Sequence, residues 1–293
     1  MKILYFAECL LVFYARYFPI RKGKLRIVNL LWRQVVKGNY LRDAKLLYGD
    51  FRITCDVRQM LQRQLYFFGT YFLERNMIEV WRNFAEQLDI IFDLGANSGI
   101  YSLAAISVNP KASVFAFEPT PEIAERLRRI RQINNLHRLT IVEAAVSDRQ
   151  GKSTLVRFDG GADNEGMNFV VQLTTNEPTH TVKTTTLDSF CSRSRVERID
   201  LLKIDVQGLE PHVLRGARDL LESHKIGTVF LELNWSPNSQ TGAADEAIEL
   251  LSRYGFLFSE ITRKPVWRDA GLWMREHDNI MAKHCSITPS NHD

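Results

Sequence analysis

The stretch from Ile90 to Ser102 constrains this chain most. The apolar run Ile90-Ile91-Phe92 ends in Asp93 and passes at once into Leu94-Gly95-Ala96-Asn97-Ser98-Gly99, ahead of an apolar segment through Leu103-Ala104-Ala105. A buried strand that turns through glycines into a helix is the form of a nucleotide-binding βα unit, because glycine lets the backbone turn tightly and approach a ligand. Asn97 and Ser98 are expected to cap that helix. The next strand, Ser113 to Phe117, ends in Glu118-Pro119, so a second acid stands at a strand's carboxyl edge about one βαβ unit later. A carboxylate there can accept both hydroxyls of a ribose. The bland alternative is a tight strand-to-helix turn with no ligand at all.

The spacing separates cofactor classes. A nicotinamide or flavin fingerprint reads Gly-x-Gly-x-x-Gly, whose middle glycine admits a pyrophosphate; here that place is Asn97 and an acid precedes the turn. Asp93 would repel a pyrophosphate but tolerate a ligand carrying an amino group and a sulfonium. The loop therefore resembles that of S-adenosylmethionine-dependent methyltransferases, with a nicotinamide oxidoreductase as the weaker reading.

The 293 residues, 45% apolar and 25% charged, suffice for one large core with an appendage. A net charge of +4 with no zinc-finger, RNA-recognition or basic-zipper signature gives no indication of nucleic acid as a partner. Arg126, Arg128, Arg129 and Arg131 share one expected helix and read as a solvated face. Cys9, Cys55, Cys191 and Cys285 form no Cys-x-x-Cys pair, which fits a reducing, cytoplasmic setting. The seven histidines show no metal-ligand spacing, so no metal is expected. Residues 1 to 20 are rich in Leu, Phe and Tyr, yet Lys2, Glu8 and Arg16 interrupt the run before it could span a bilayer. They read as a helix docked on the core or, together with the basic flank Arg21 to Arg26, as peripheral membrane contact through residues 1–26 at a membrane's inner face.

Residues 1–85 are expected to form a mainly helical extension, with a short strand pair between Leu46 and Val57 and an aromatic helix through Tyr66 to Phe72. From residue 86 to 293, short apolar strands alternate with helices, which predicts a doubly wound, mostly parallel α/β sheet. Strands are expected near 89–93, 113–117, 139–145, 200–205 and 226–232, with helices near 98–108, 121–134, 208–222 and 243–254. Late strands near 256–261 and 278–284 are close enough to pair antiparallel. Between 151 and 187 two β-like pieces, Ser153 to Phe158 and Thr181 to Thr186, flank a turn-rich loop at 159–166 suited to closing over a substrate.

A third stretch, Ile199-Asp200-Leu201-Leu202-Lys203-Ile204-Asp205-Val206-Gln207-Gly208-Leu209-Glu210, puts Lys203 and Asp205 on one face of a strand. Asp93, Glu118, Asp205 and Glu232 then all fall at carboxyl ends of strands, where open α/β sheets bind ligands. A core excludes such acids unless they are paired or ligand-bound. Lys203 is the natural partner for one of them, either as a buried ion pair or as a substrate contact.

Together with Phe117-Glu118-Pro119, Ala144-Ala145-Val146-Ser147-Asp148 and Phe230-Leu231-Glu232-Leu233, these stretches resemble the FkbM family of S-adenosylmethionine-dependent methyltransferases over residues 88 to 284. The resemblance implies a Rossmann-like methyltransferase sheet with an antiparallel last strand, S-adenosylmethionine as cofactor, and O-methyl transfer to a small-molecule, glycan, glycolipid or other lipid-linked acceptor. It implies that Asp93, Gly95, Ala96, Asn97 and Gly99 hold the methionine end, Glu118 and Pro119 the ribose, and Glu143, Ala144, Ala145 and Val146 the adenine edge. Asp205 would stand nearest the transferred methyl, as a base or as electrostatic support, with Lys203 and Glu232 beside it. Gln207 departs from the family's usual Glu after Asp-Val, which opens a second reading, a cofactor-binding scaffold without turnover. A homo-oligomer fits the extension as well as a monomer does.

Overall fold

The computed structural model describes residues 2–19, 21–156, 169–171, 179–233, 242–271, 274 and 279–286. The loop at 159–166, expected to close over a substrate, lies outside these residues. The extension runs α1 (Lys2–Tyr17), α2 (Lys24–Val35), β1 (Leu41–Lys45), β2 (Arg52–Asp56), α3 (Met60–Phe68) and α4 (Arg75–Ala85). Next come β3 (Ile90–Leu94), α5 (Ile100–Val108), β4 (Ser113–Phe117), α6 (Pro121–Ile133) and β5 (Leu139–Val142). A smaller β section follows, with β6 (Ala145–Val146), β7 (Gly151–Val156), β8 (Phe169–Val171) and β9 (Thr179–Thr185). The chain then forms α7 (Leu187–Ser194), β10 (Ile199–Ile204), α8 (Glu210–Arg215), α9 (Arg218–Glu222) and β11 (Ile226–Glu232). It ends in α10 (Ala243–Arg253), β12 (Phe256–Glu260) and β13 (Asn279–His284).

Seven strands make the main sheet in the order β12-β13-β11-β10-β3-β4-β5. β3, β4, β5, β10 and β11 are mutually parallel, whereas β13 runs antiparallel to both β11 and β12. This is the doubly wound sheet with an antiparallel ending that the sequence predicts. Strand order reverses between β3 and β10, so the crevice beyond their carboxyl ends is the place a ligand can enter. Helices cover both faces, which is why β10 is buried at all six positions, including the charged Asp200 and Lys203.

The extension shares the sheet's core. Trp81 of α4 meets Phe230 of β11 edge to face at 5.2 Å, and its indole donates to the Tyr101 carbonyl at 3.0 Å. Burying a ring of this size contributes roughly 2–3 kcal/mol. α1 and α2 pack separately, on Val57, Phe67 and Phe68, through Leu11, Ala15, Val28 and Trp32.

Four local expectations need correction. The early strand pair lies at 41–45 and 52–56, because Leu46 and Tyr48 turn inward between the strands. The aromatic helix stops at Phe68, where Gly69 takes the left-handed backbone that ends it. The strand expected over 139–145 ends at Val142, and Ala145–Val146 pair with β9 in the second sheet. The helix expected over 208–222 breaks at Gly216, where a Cβ would lie 2.0 Å from the Ser147 carbonyl oxygen.

Candidate active site

Three left-handed residues, Gly95, Asn97 and Gly99, fold the loop after β3. Gly95 N and Ala96 N both donate to the Phe117 carbonyl at 3.0 Å, which fastens the loop to the end of β4. At Gly95 a Cβ would sit 2.0 Å from the Asp205 carbonyl oxygen, so only glycine permits this approach to the end of β10. Asn97 and Ser98 do not cap α5 as expected. Gly99 is the N-cap, and Asp93 Oδ2 takes the free first-turn donors instead, accepting from Ser102 N (3.1 Å) and Ser102 Oγ (2.7 Å). Ser98 Oγ is bonded to the Tyr71 hydroxyl at 2.7 Å.

A cleft of about 190 Å³ opens beyond this loop. Gly95, Ala96, Asn97, Glu118, Pro119, Ala144, Ala145 and Val146 line it, and so do Lys203, Asp205 and Glu232. The topology thus gathers most of the residues singled out from sequence. Asp93, Gly99 and Glu143 are not on its walls. Asp93 is fully buried beneath the loop, a Cβ on Gly99 would press on Leu127, and Glu143 is turned aside to an ion pair with Arg128 at 2.5 Å.

Glu118 is only 5% exposed. Its Oε2 accepts from Asn97 N at 3.1 Å and its Oε1 from Thr120 N at 2.9 Å, and the Thr120 side chain hydrogen-bonds the same carboxyl, which leaves it acceptor capacity for one ligand donor. Burial raises its pKa, against these backbone hydrogen bonds. A buried carboxyl with an acceptor site to spare, beside the apolar Ala144–Val146 segment, fits a ribose and an attached base.

The other half of the cleft is a charge cluster. Lys203 Nζ donates to Asp205 Oδ2 at 2.7 Å, and Gln207 Nε2 donates to Asp205 Oδ1 at 2.9 Å. Glu232 hydrogen-bonds Asp205 as well, and the Lys203 ammonium stands 4.7 Å from the Tyr101 ring centroid. Burial and the neighbouring Asp205 charge push Glu232 up to about 9, so it holds a proton at neutral pH. Burial opposes charge on Asp205, but Lys203, Glu232 and Gln207 outweigh it and hold its carboxyl below the ordinary value. Burial likewise opposes charge on Lys203, yet Asp205 and Asp93 keep it protonated. Two carboxyls thus share one proton next to a fixed cation, with Asp205 as the ionised member.

Leu61, Tyr71 and Glu74 come from the extension and were missed in the sequence, as was Tyr101. Glu74 Oε2 accepts from the Tyr101 hydroxyl at 2.7 Å, and burial raises the Glu74 pKa. Glu74 reads in sequence as an ordinary acid at a helix start. Only Tyr101, two residues past the glycine loop, carried a positional signal. Among the described residues no group of His, Cys, Asp and Glu is arranged to hold a metal ion, and no helix is long and apolar enough to cross a membrane.

The methyltransferase FkbM domain family matches residues 93–258, more than half of the chain. The chain belongs to this family. It is 32% identical to the 2-O-methyltransferase NoeI of Sinorhizobium fredii over 144 residues, 45% of this chain and 58% of that protein. It is 26% identical to the hexuronic acid methyltransferase AglP of Haloferax volcanii, over 59% of this chain and 69% of AglP. To the 31-O-demethyl-FK506 methyltransferase FkbM of Streptomyces tacrolimicus it is 28% identical, over 57% of this chain and 72% of that protein. The match thus spans less than two thirds of NoeI. The FkbM family is S-adenosylmethionine-dependent, and the buried ribose-type acceptor at Glu118 fits that cofactor.

Proposed function

We propose that this FkbM-family chain transfers a methyl group from S-adenosylmethionine to a hydroxyl of a glycan, glycolipid or secondary metabolite. The observation that carries this reading is the pairing of two unlike halves in one cleft. Glu118 and the Gly95–Asn97 loop supply a backbone-rich seat for the nucleoside and methionine ends. Asp205, Lys203 and Glu232 supply a polar wall where a hydroxyl can be oriented. The relatives' names, a 2-O-methyltransferase, a hexuronic acid methyltransferase and a 31-O-demethyl-FK506 methyltransferase, lend support to a hydroxyl acceptor.

Bound S-adenosylmethionine supplies an electrophilic methyl on a sulfonium. Asp205, ionised by its neighbours, accepts the acceptor hydroxyl's hydrogen and aims the oxygen lone pair. A carboxyl held below its ordinary pKa is a weak base, so alignment rather than strong proton abstraction carries most of the rate. Lys203 fixes Asp205 and offsets its charge. Gln207, the departure from the family pattern, donates its amide to the same carboxylate. An ionised glutamate there could not donate, so the amide suits an ionised Asp205 and is compatible with turnover.

All four cysteines are unpaired, which suits a reducing compartment and supports a cytoplasmic placement. Calorimetric titration with S-adenosylhomocysteine, followed by a labelled-methyl screen against sugar, glycolipid and polyketide hydroxyls, tests the proposal. Micromolar binding and label on an alcohol oxygen are expected. Binding without transfer to any acceptor would point to a scaffold, and no binding to folded protein would remove the reading.

A further inference from the structure

The outer face of α1 carries a row of exposed apolar side chains. Ile3, Phe6, Leu10, Phe13 and Tyr17 recur at alternating steps of three and four residues and are 84%, 64%, 52%, 62% and 69% exposed. At 100° per residue they fall within an arc of about 80°. Glu8, Leu11 and Ala15, which are buried, lie on the opposite side of the helix. Leu30 of α2, 72% exposed, extends the apolar surface onto the second helix. The stripe thus points straight away from the body.

The helix is also held rigidly. Glu8 accepts from Arg42 Nε at 2.6 Å and from the Tyr66 hydroxyl at 2.7 Å. Arg16 donates to the Tyr66 carbonyl at 2.9 Å, and Lys24 donates to the carbonyls of Ala15 and Phe18 at the end of α1. A mobile segment could fold its apolar side inward, but these contacts keep it facing outward.

Charge identifies what the face meets. Residues 1–37 contain eight Lys or Arg and a single acid, Glu8, which is buried in its pair with Arg42. Arg21, Lys22 and Arg26 are exposed at the end of the stripe. A second copy docked on this face would bring two such basic flanks together, which Coulomb repulsion opposes. α1 has 16 residues, about 24 Å, and is too short to cross a hydrocarbon layer of about 30 Å. An apolar and aromatic stripe flanked by cations, lying flat, suits the headgroup zone of an anionic bilayer.

We propose that α1, with the exposed apolar and basic side chains of α2 and its leading loop, is a peripheral docking surface for anionic lipid. α3 links this surface to the cleft, since its Tyr66 holds α1 and its Leu61 lines the cleft wall. The proposal does not depend on which acceptor is methylated.

Flotation of the full chain with phosphatidylcholine–phosphatidylglycerol vesicles, against phosphatidylcholine alone, tests it. Wild type should float with the anionic vesicles and be released as salt rises. Phe6→Asp combined with Phe13→Asp should abolish flotation. Arg21→Gln combined with Lys22→Gln should lower the partition coefficient about thirtyfold, at about fivefold per basic residue. Unchanged circular dichroism melting would confirm that both variants are folded. Wild type that stays in the aqueous fraction with every vesicle overturns the proposal, as does flotation indifferent to both variants. A solution dimer that Phe13→Asp splits would assign the face to a second copy and overturn it too.

Discussion

The two halves of the cleft are built on different principles. The half proposed for the cofactor comes mostly from one stretch, β3 to the start of α6, completed by Ala144–Val146, and backbone donors shape its loop: Gly95 N and Ala96 N to Phe117, Asn97 N and Thr120 N to Glu118. The acceptor half draws Glu74 from before α4, Tyr101 from α5, Lys203 and Asp205 from the end of β10, and Glu232 from the end of β11. Side-chain charge, rather than backbone geometry, holds it together. The first half can therefore serve any acceptor unchanged, while the second can be retuned by single substitutions without dismantling the nucleoside seat.

If the halves are separable, substitutions should divide cleanly between them. Asp205→Asn should produce the largest effect, a loss of turnover on the order of a thousandfold, because it removes the ionised member of the cluster and leaves Lys203 without its partner. Homocysteine-product affinity should fall less than about tenfold, given a net loss of no more than about 1 kcal/mol for one indirect contact. Equal losses in both would break the division. Glu118→Ala should do the reverse and weaken S-adenosylhomocysteine binding up to about a hundredfold, as expected for one hydrogen bond to a charged group at about 1.5–3 kcal/mol. Its readout is calorimetric titration, and unchanged affinity would unseat Glu118 as the ribose acceptor.

The same contrast explains what could be read from sequence. Gly95, Asn97 and Glu118 were legible because a strand, a glycine turn and the next strand's last acid lie at fixed offsets along the chain. Lys203 and Asp205 were legible as a pair because strand residues two apart share a face, and the 2.7 Å contact is that geometry realised. The sheet, too, followed from the alternation of apolar strands and helices. Glu74 and Tyr71 were not legible, since their place in the cleft depends on how the extension docks through Trp81 on Tyr101 and Phe230, a tertiary contact that no local pattern encodes. Asp93 and Glu143 show the opposite case. Each sits at a suitable offset but off the cleft wall, Asp93 Oδ2 bonded to Ser102 and Glu143 paired with Arg128.

The proton shared by Asp205 and Glu232 gives a stability test that needs no acceptor. Glu232 keeps its proton to about 9 in the folded protein but gives it up near 4.5 in an unfolded chain. Between those values the folded state binds more protons, so stability falls as pH rises through the window. Asp205, whose pKa is lowered, loses its contribution only as pH falls below the ordinary aspartate range, so it does not obscure the interval from pH 5 to 8. Glu232→Gln does not titrate. Relative to wild type it should gain on the order of 2 kcal/mol between pH 5 and pH 8, less than the full shift because the coupled pair redistributes its proton. Urea unfolding at the two pH values measures this, and an equal difference at both would mean that Glu232 is ionised at neutral pH.

The smallest effect sharpens the comparison most, because it concerns a residue from outside the sheet. Glu74 touches the cleft only through its carboxyl, which takes the Tyr101 hydroxyl and faces the Lys203 cluster. In Glu74→Gln the amide oxygen can still accept from Tyr101, so the fold and the Tyr101 ring under Lys203 should persist. What changes is the acceptor capacity offered to a substrate hydroxyl, worth about 1 kcal/mol. For the acceptor found in the labelled-methyl screen, KM should rise about fivefold with kcat little altered, and S-adenosylhomocysteine affinity should stay the same. A fall in cofactor affinity instead would mean that the extension reaches across into the nucleoside seat, and that acceptor and cofactor share one wall.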